Sequence, residues 1–172
     1  MENNQIIDAR YSLKLKTNND SNNEITFILK NPSHANTQIS DATVNKVIDV
    51  AYSKGASVIN IFNVLPFYLT NANDLPGFVR DLKEQNNDIY KNALLKNISA
   101  IEDHLKNISD DTVVCCWGSG LVDIENLNAI EGLVKSSREI VYRVKIKDNF
   151  PPHPQRISVD PKNPFEPLNT DW

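Results

Sequence analysis

At 172 residues, 40% hydrophobic and 23% charged, the chain has the size and composition of one ordinary globular domain with its own core. No apolar run approaches a membrane span and Met1–Arg10 holds no hydrophobic signal core, so the expectation is a cytoplasmic protein with no membrane partner. The net charge of −4 argues against indiscriminate nucleic-acid binding.

In chain order, Tyr11, Leu13 and Leu15 alternate with polar residues as in a half-buried strand, and Thr17 to Glu24 reads as a hairpin or short loop. Ile25 to Leu29 is a buried strand stopped by Asn31-Pro32, because proline cannot continue a ladder. Ser40 or Asp41 caps a helix reaching about Lys54, with Val44, Val47, Ile48 and Ala51 on one face and Gly55 at its end. Val58 to Phe62 is a third strand, followed by a long loop from Asn63 to about Leu75 and a short helix over Pro76 to Lys83. A longer helix starts at Asn87 and carries Leu94, Ile98, Ile101 and Leu105 at helical spacing. Thr112 to Trp117 is a fourth strand, Ile124, Leu127, Ile130 and Val134 mark another helix, and Ile140 to Ile146 is the last strand. From Asn149 prolines impose an irregular tail, so residues 1–172 read as one α/β domain with residues 149–172 packed on it. Strand–helix alternation predicts a three-layer α/β/α sandwich with a mainly parallel central sheet.

Ligands bind at strand C-termini in such sheets, which directs attention to the residues just past each strand. Asn31-Pro32-Ser33 is a preorganised polar loop or a plain turn, and Asp41 is a helix cap or a catalytic carboxylate. Asn60 interrupts an apolar strand and requires partners, with Asn63 at the strand end competing for the same role. Trp117-Gly118-Ser119-Gly120 opens toward a helix, where free backbone amides suit an anionic group. His153 is held between Pro152 and Pro154, a rigid mount for a histidine that donates to a developing anion. Cys115 and Cys116 are adjacent in a strand and point to opposite faces, so they read as small core residues, and no zinc-ligand spacing is present. Residues 135–156 carry a local charge of +4, and Arg143, Lys145, Lys147 and Arg156 in that strip suit either phosphate contact or a lysine-guarded edge strand.

Over nearly its whole length the chain resembles domain-of-unknown-function family 1643. The resemblance rests on Arg10-Tyr11-Ser12-Leu13, Asn31-Pro32-Ser33, Asp41-Ala42-Thr43, Asn60-Ile61-Phe62, Asn87-Asp88, Cys116-Trp117-Gly118 and His153-Pro154. It departs from the family pattern at Asn45-Lys46, Phe150 and Gln155-Arg156. More distantly it is similar to uracil-DNA glycosylases, which place a polar-Pro loop, a base-reading asparagine, a Trp-Gly-Ser-like strand end and a His-Pro loop in the same order.

That resemblance implies a glycosylase-like fold and hydrolysis of the N-glycosidic bond of a modified or damaged base, through an oxocarbenium-like state. Asn31 would hold water, Asn63 or Asn60 would read the base edge, Phe62 would stack on it and His153 would stabilise the departing base. Asp41 joins the catalytic candidates, and Ser33, Asn87, Asp88, Trp117 and Ser119 join the substrate-binding ones. No cofactor or metal is implied, and DNA is the expected partner. Two rival expectations stand beside this one: an enzyme on free nucleotides or nucleosides, and a non-catalytic nucleic-acid-binding module on the same scaffold.

Overall fold

In a computed structural model, residues 8–33, 41–69, 71–108, 112–120, 123–138, 140–144, 153 and 164–168 are described. In chain order the elements are β1 (Leu13–Lys16), β2 (Glu24–Leu29), α1 (Ala42–Ser53), β3 (Val58–Asn63), a short 3-10 turn at Ala72–Asp74, α2 (Leu75–Gln85), α3 (Asn87–Asn107), β4 (Thr112–Cys116), α4 (Ile124–Ser137), β5 (Tyr142–Val144) and β6 (Phe165–Pro167). No helix among these residues is long and apolar enough to cross a membrane.

The strands form one sheet in the order β1-β3-β2-β4-β5-β6. The inner strands β3, β2, β4 and β5 run parallel, while β1 and β6 join the two edges antiparallel. The sheet is therefore mixed, which corrects the mainly parallel expectation. The antiparallel edges come from pairings distant in sequence: Leu13 faces Ile61, and Tyr142 faces Pro167. Nor do β1 and β2 form a hairpin, because β3 lies between them.

The segment between β1 and β2 has a different task. Thr17 Oγ1 and Asn19 Nδ2 donate to the Ala56 carbonyl (2.6 and 3.0 Å), Ser21 Oγ to Gly55 (2.6 Å) and Asn23 Nδ2 to Lys54 (3.0 Å). These side chains satisfy carbonyls at and just past the end of α1 that have no helical partner. Gly55, at φ +72°, supplies the left-handed turn that ends the helix.

Alternation along the strands separates two cores. Ile25, Phe27, Leu29, Ile59, Ile61, Val114 and Cys116 pack with Val44, Val47, Val50 and Ala51 of α1. Ile28, Phe62, Val113, Cys115 and Trp117 pack with Ile101 and Leu105 of α3 and Ile130 and Val134 of α4. A third cluster joins Leu65 and Phe67, past β3, to α2 and the start of α3. Each fully buried Ile, Leu or Phe contributes about 1.5–3 kcal/mol by leaving water. Both cysteines are buried and outside any disulfide, and burial pushes the Cys115 thiol well above its ordinary range, as suits a small core residue.

The core faces of two helices keep Ile101, Leu105, Ile130 and Val134 as expected but are rotated at their N-terminal ends. On α3 the buried row is Tyr90, Ala93, Asn97, Ile101 and Leu105, and on α4 it is Asn126, Ile130 and Val134, with Ile124 exposed. Each row contains an asparagine at a position that ordinarily holds an aliphatic residue.

Candidate functional site

The parallel strands β2, β3 and β4 end side by side, with Leu29 in register with both Asn63 and Cys116. Their exits therefore converge on one edge of the sheet.

At the β2 exit, Asn31 Nδ2 donates to the carbonyls of Pro32 (3.0 Å) and Leu69 (3.3 Å). The amide thus holds its own loop against the segment following β3, and its Oδ1 is left as the acceptor. Ser33 is half-buried just beyond. Lys30, which the sequence pattern did not single out, donates from Nζ to the Ser119 carbonyl (2.5 Å) and so brings a cation across to the loop after β4.

At the β3 exit stands Asn63. Its position continues the row of Ile59 and Ile61 on the α1 face, and it is 0% exposed. Neither Nδ2 nor Oδ1 of Asn63 has a hydrogen-bond partner among the described residues. A buried amide left unpaired costs about 1–3 kcal/mol, so a side chain with both ends unpaired calls for a reason. Asn60, the competing residue, is accounted for differently: its Nδ2 donates to Glu24 Oε2 (3.0 Å), and Glu24 in turn faces Lys14 (3.7 Å).

At the β4 exit, Trp117 is 2% exposed in the core shared with α4, while Ser119 is exposed. Gly118 has φ +71°, and a Cβ built there would lie 3.1 Å from His153 Cβ and 3.4 Å from its backbone N. Glycine at 118 therefore permits both the turn and the close seating of His153. His153 is half-buried.

Asp41 accepts through Oδ1 from the N–H groups of Thr43 and Val44 (both 2.9 Å), the bonding of an N-cap. Arg10 lies near it, 8% exposed and 5.6 Å above the Tyr68 ring. Burial lowers the Arg10 pKa from its ordinary value, against the opposing influence of Tyr68 and of the Asp41 charge.

Several expected residues lie elsewhere. Phe62 is 4% exposed and packs 4.7 Å from the His104 ring, which also bonds Thr26 Oγ1 through Nε2 (2.7 Å), so it belongs to the core under α3. Asn87 and Asp88 are exposed in the first turn of α3. Arg143 is paired with Glu166 across β5 and β6 (2.8 Å). Lys145, Lys147 and Arg156 fall outside the described residues.

Beneath the β3 exit runs a buried polar network. Asn97 Nδ2 donates to the carbonyls of Asn63 (2.9 Å) and Val64 (3.3 Å), and Asn126 Nδ2 to Val64 (2.5 Å). Asp123 caps α4 by accepting from Asn126 N (2.8 Å), and its other oxygen takes the Tyr90 hydroxyl and Lys83 Nζ (2.9 Å). Burial would raise the Asp123 carboxyl, but hydrogen bonds from Tyr90, the Asn126 N–H and Lys83 outweigh it and hold the group below its ordinary value. Tyr90 is pushed upward by burial and by the neighbouring Asp123, so it stays a donor. A separate cavity of ≈ 200 Å³ lies between α4 and the β5–β6 edge, lined by Trp117, Glu131, Lys135 and Leu168 among others. Among the described residues no group of three His, Cys, Asp or Glu side chains could hold a metal ion.

Compared with known proteins, residues 10–155 match the family described as protein of unknown function (DUF1643). No curated protein and no solved structure matches the chain.

Proposed function

We infer that this chain, which belongs to the DUF1643 family, recognises a nucleobase at the edge formed by β2, β3 and β4 and hydrolyses its N-glycosidic bond. The overall architecture would then be the three-layer sandwich of uracil-DNA glycosylases, and the substrate a modified or damaged base in DNA.

The observation that carries this reading is the buried, unpaired amide of Asn63. A carboxamide offers a donor and an acceptor side by side, and one complement is a ring N–H beside a carbonyl, the lactam edge of uracil, thymine or hypoxanthine, the bases whose removal the uracil-DNA glycosylase resemblance implies. Such a ligand converts two unpaired atoms into two bonds, while an edge that offers only donors or only acceptors leaves one of them unpaired. Because Asn63 is closed from solvent, a base reaches it only by displacing the groups that cover it.

The neighbours supply the rest of the chemistry. Bond cleavage separates C1′ from the base nitrogen and leaves the pair of electrons on the base, while water adds to C1′ and releases a proton. His153, seated on Gly118, is the donor for the developing base anion. Asn31 Oδ1 accepts from the attacking water, its Nδ2 being held by two carbonyls. Lys30 adds positive potential beside the Ser119 loop.

The test is incubation with oligonucleotides carrying uracil, hypoxanthine, mismatched thymine or alkylated bases, followed by alkali to reveal abasic sites. Cleavage of a lactam-edged base that Asn63→Ala abolishes is the expected result, and intact strands across the panel overturn the reading. One observation favours a free nucleoside as the alternative substrate: Arg143 is engaged by Glu166 rather than open to a phosphate backbone. Release of free base from nucleosides, with no action on oligonucleotides, would select it.

A further inference from the structure

The three asparagines at the β3 exit form a connected arrangement. The chain bends from strand to loop at residues 63 and 64, where ladder pairing ends. The N–H of Val64 is still held by the Leu29 carbonyl (2.8 Å), but the carbonyls of Asn63 and Val64 are taken by side chains from two different helices. Asn97 comes from the middle of α3 and Asn126 from the first turn of α4. Their exposures are 0% and 4%, so water at the surface does not compete for these bonds.

An apolar residue at either position would continue the buried row of its helix. The amides are moreover only half used, since Oδ1 of Asn97 and Oδ1 of Asn126 have no partner among the described residues. Half-satisfied buried networks are worse for stability than a packed apolar core. Their value lies in direction: with the peptide units on the C-terminal side of Asn63 tied to two helices, the Cα–Cβ bond of Asn63 has one orientation.

We propose that Asn97 and Asn126 are positioning residues that hold the Asn63 amide preorganised for its ligand. This rests on the reading of Asn63 as the base-recognising group. The network extends further, because Asn126 N is held by Asp123, and Asp123 by Tyr90 and Lys83. Helices α2, α3 and α4 thus all fix the position of one side chain on β3. Preorganisation of this kind strengthens binding by removing the ordering that a mobile amide would undergo on contact.

The experiment compares the full chain with Asn97→Leu and Asn126→Leu. Thermal unfolding reports stability, NMR relaxation of the Asn63 side-chain NH2 reports its order without any ligand, and titration with free uracil and free hypoxanthine reports affinity. The expected result is a chain that still folds, with a melting temperature lowered by several degrees because buried carbonyls lose a donor, a loosened Asn63 NH2 and at least a tenfold weaker affinity in each variant. Should either leucine variant not fold, Asn97→Ala leaves room for water at the same carbonyls, and a threefold or greater loss with the same loosening is expected. An Asn63 NH2 that stays equally ordered in a folded variant overturns the proposal, as does unchanged affinity. A wild type that binds neither base, yet shows the loosening in Asn97→Leu, supports the positioning role and removes the base-recognition reading instead.

Discussion

His153 is seated on the Cα of Gly118: any side chain at 118 would come 3.1 Å from His153 Cβ, on a backbone already at φ +71°. Asn31 has a comparable local anchor at the neighbouring strand exit, through Leu69. The exits of β2 and β4 therefore fix both groups.

Replacing Gly118 by alanine introduces both a left-handed non-glycine residue and a contact closer than van der Waals distance. The expected cost is about 1–3 kcal/mol in chemical denaturation. Any glycosidic cleavage should fall further than that stability loss explains, because His153 is displaced. A Gly118→Ala variant with wild-type stability and activity would show that His153 does not need this seat.

The Asn63 amide makes no hydrogen bond among the described residues, so removing it forfeits none of those. Asn63→Ala is expected to keep stability within about 1 kcal/mol of the wild type, since relief from an unpaired amide offsets the small cavity. Binding and cleavage should be lost. A large fall in urea midpoint would mark Asn63 as a structural residue.

Acid should weaken the fold through Asp123. A carboxyl held below its ordinary value in the folded chain contributes stability that is complete above about pH 4 and is lost as pH falls through the depressed value. Glu131, raised by burial, acts with the opposite sign: its contribution falls as pH rises from its ordinary value through the raised one. Asp123→Asn removes only the first effect. Urea midpoints at pH 7, 5, 4 and 3 should therefore drop less steeply on the acid side in Asp123→Asn than in the wild type, with a parallel profile contradicting the assignment.

The Arg143–Glu166 pair joins β5 to β6 with side chains 18% and 26% exposed. A double-mutant cycle with alanine at both positions should give a coupling of about 1 kcal/mol, above the typical surface pair because the contact is partly screened from water. In a DNA-binding assay, Arg143→Ala alone should leave the dependence of affinity on salt unchanged. A slope reduced by about one would instead mean that Arg143 contacts a phosphate.

The inner strands were legible because Ile25–Leu29, Val58–Phe62 and Val113–Trp117 are apolar runs bounded by turn residues, and local pattern alone defines such strands. The antiparallel edges were not, since β6 is only Phe165-Glu166-Pro167 within a proline-rich tail and its partner β5 is distant in sequence. At the site, the sequence left Asn60 and Asn63 as rivals; they fall on opposite faces, and the Glu24 contact of Asn60 and the unpaired buried amide of Asn63 separate their roles. Asn97 and Asn126 were missed because the apolar periodicity, traced through Leu94, Ile98, Ile101 and Leu105 and through Ile124, Leu127, Ile130 and Val134, counts only apolar residues. The available signal was the spacing of four in Ala93, Asn97, Ile101, Leu105 and in Asn126, Ile130, Val134, where a polar residue occupies a core row. Asp41 shows the converse, since the cap that its position before α1 predicts is the bonding found.

The two outermost strands also bear on how copies of this chain behave when crowded. Unpaired strand edges are templates for sheet-to-sheet growth, and each edge here carries a deterrent. Strand β1 alternates Leu13 and Leu15 with Lys14 and Lys16, so a second β1 laid against it would bring lysines together. Strand β6 spans three residues and ends in Pro167, which has no N–H to offer a newcomer. Fibril formation at high concentration should therefore begin only after the sheet has opened, with a lag set by unfolding rather than by collision of intact molecules.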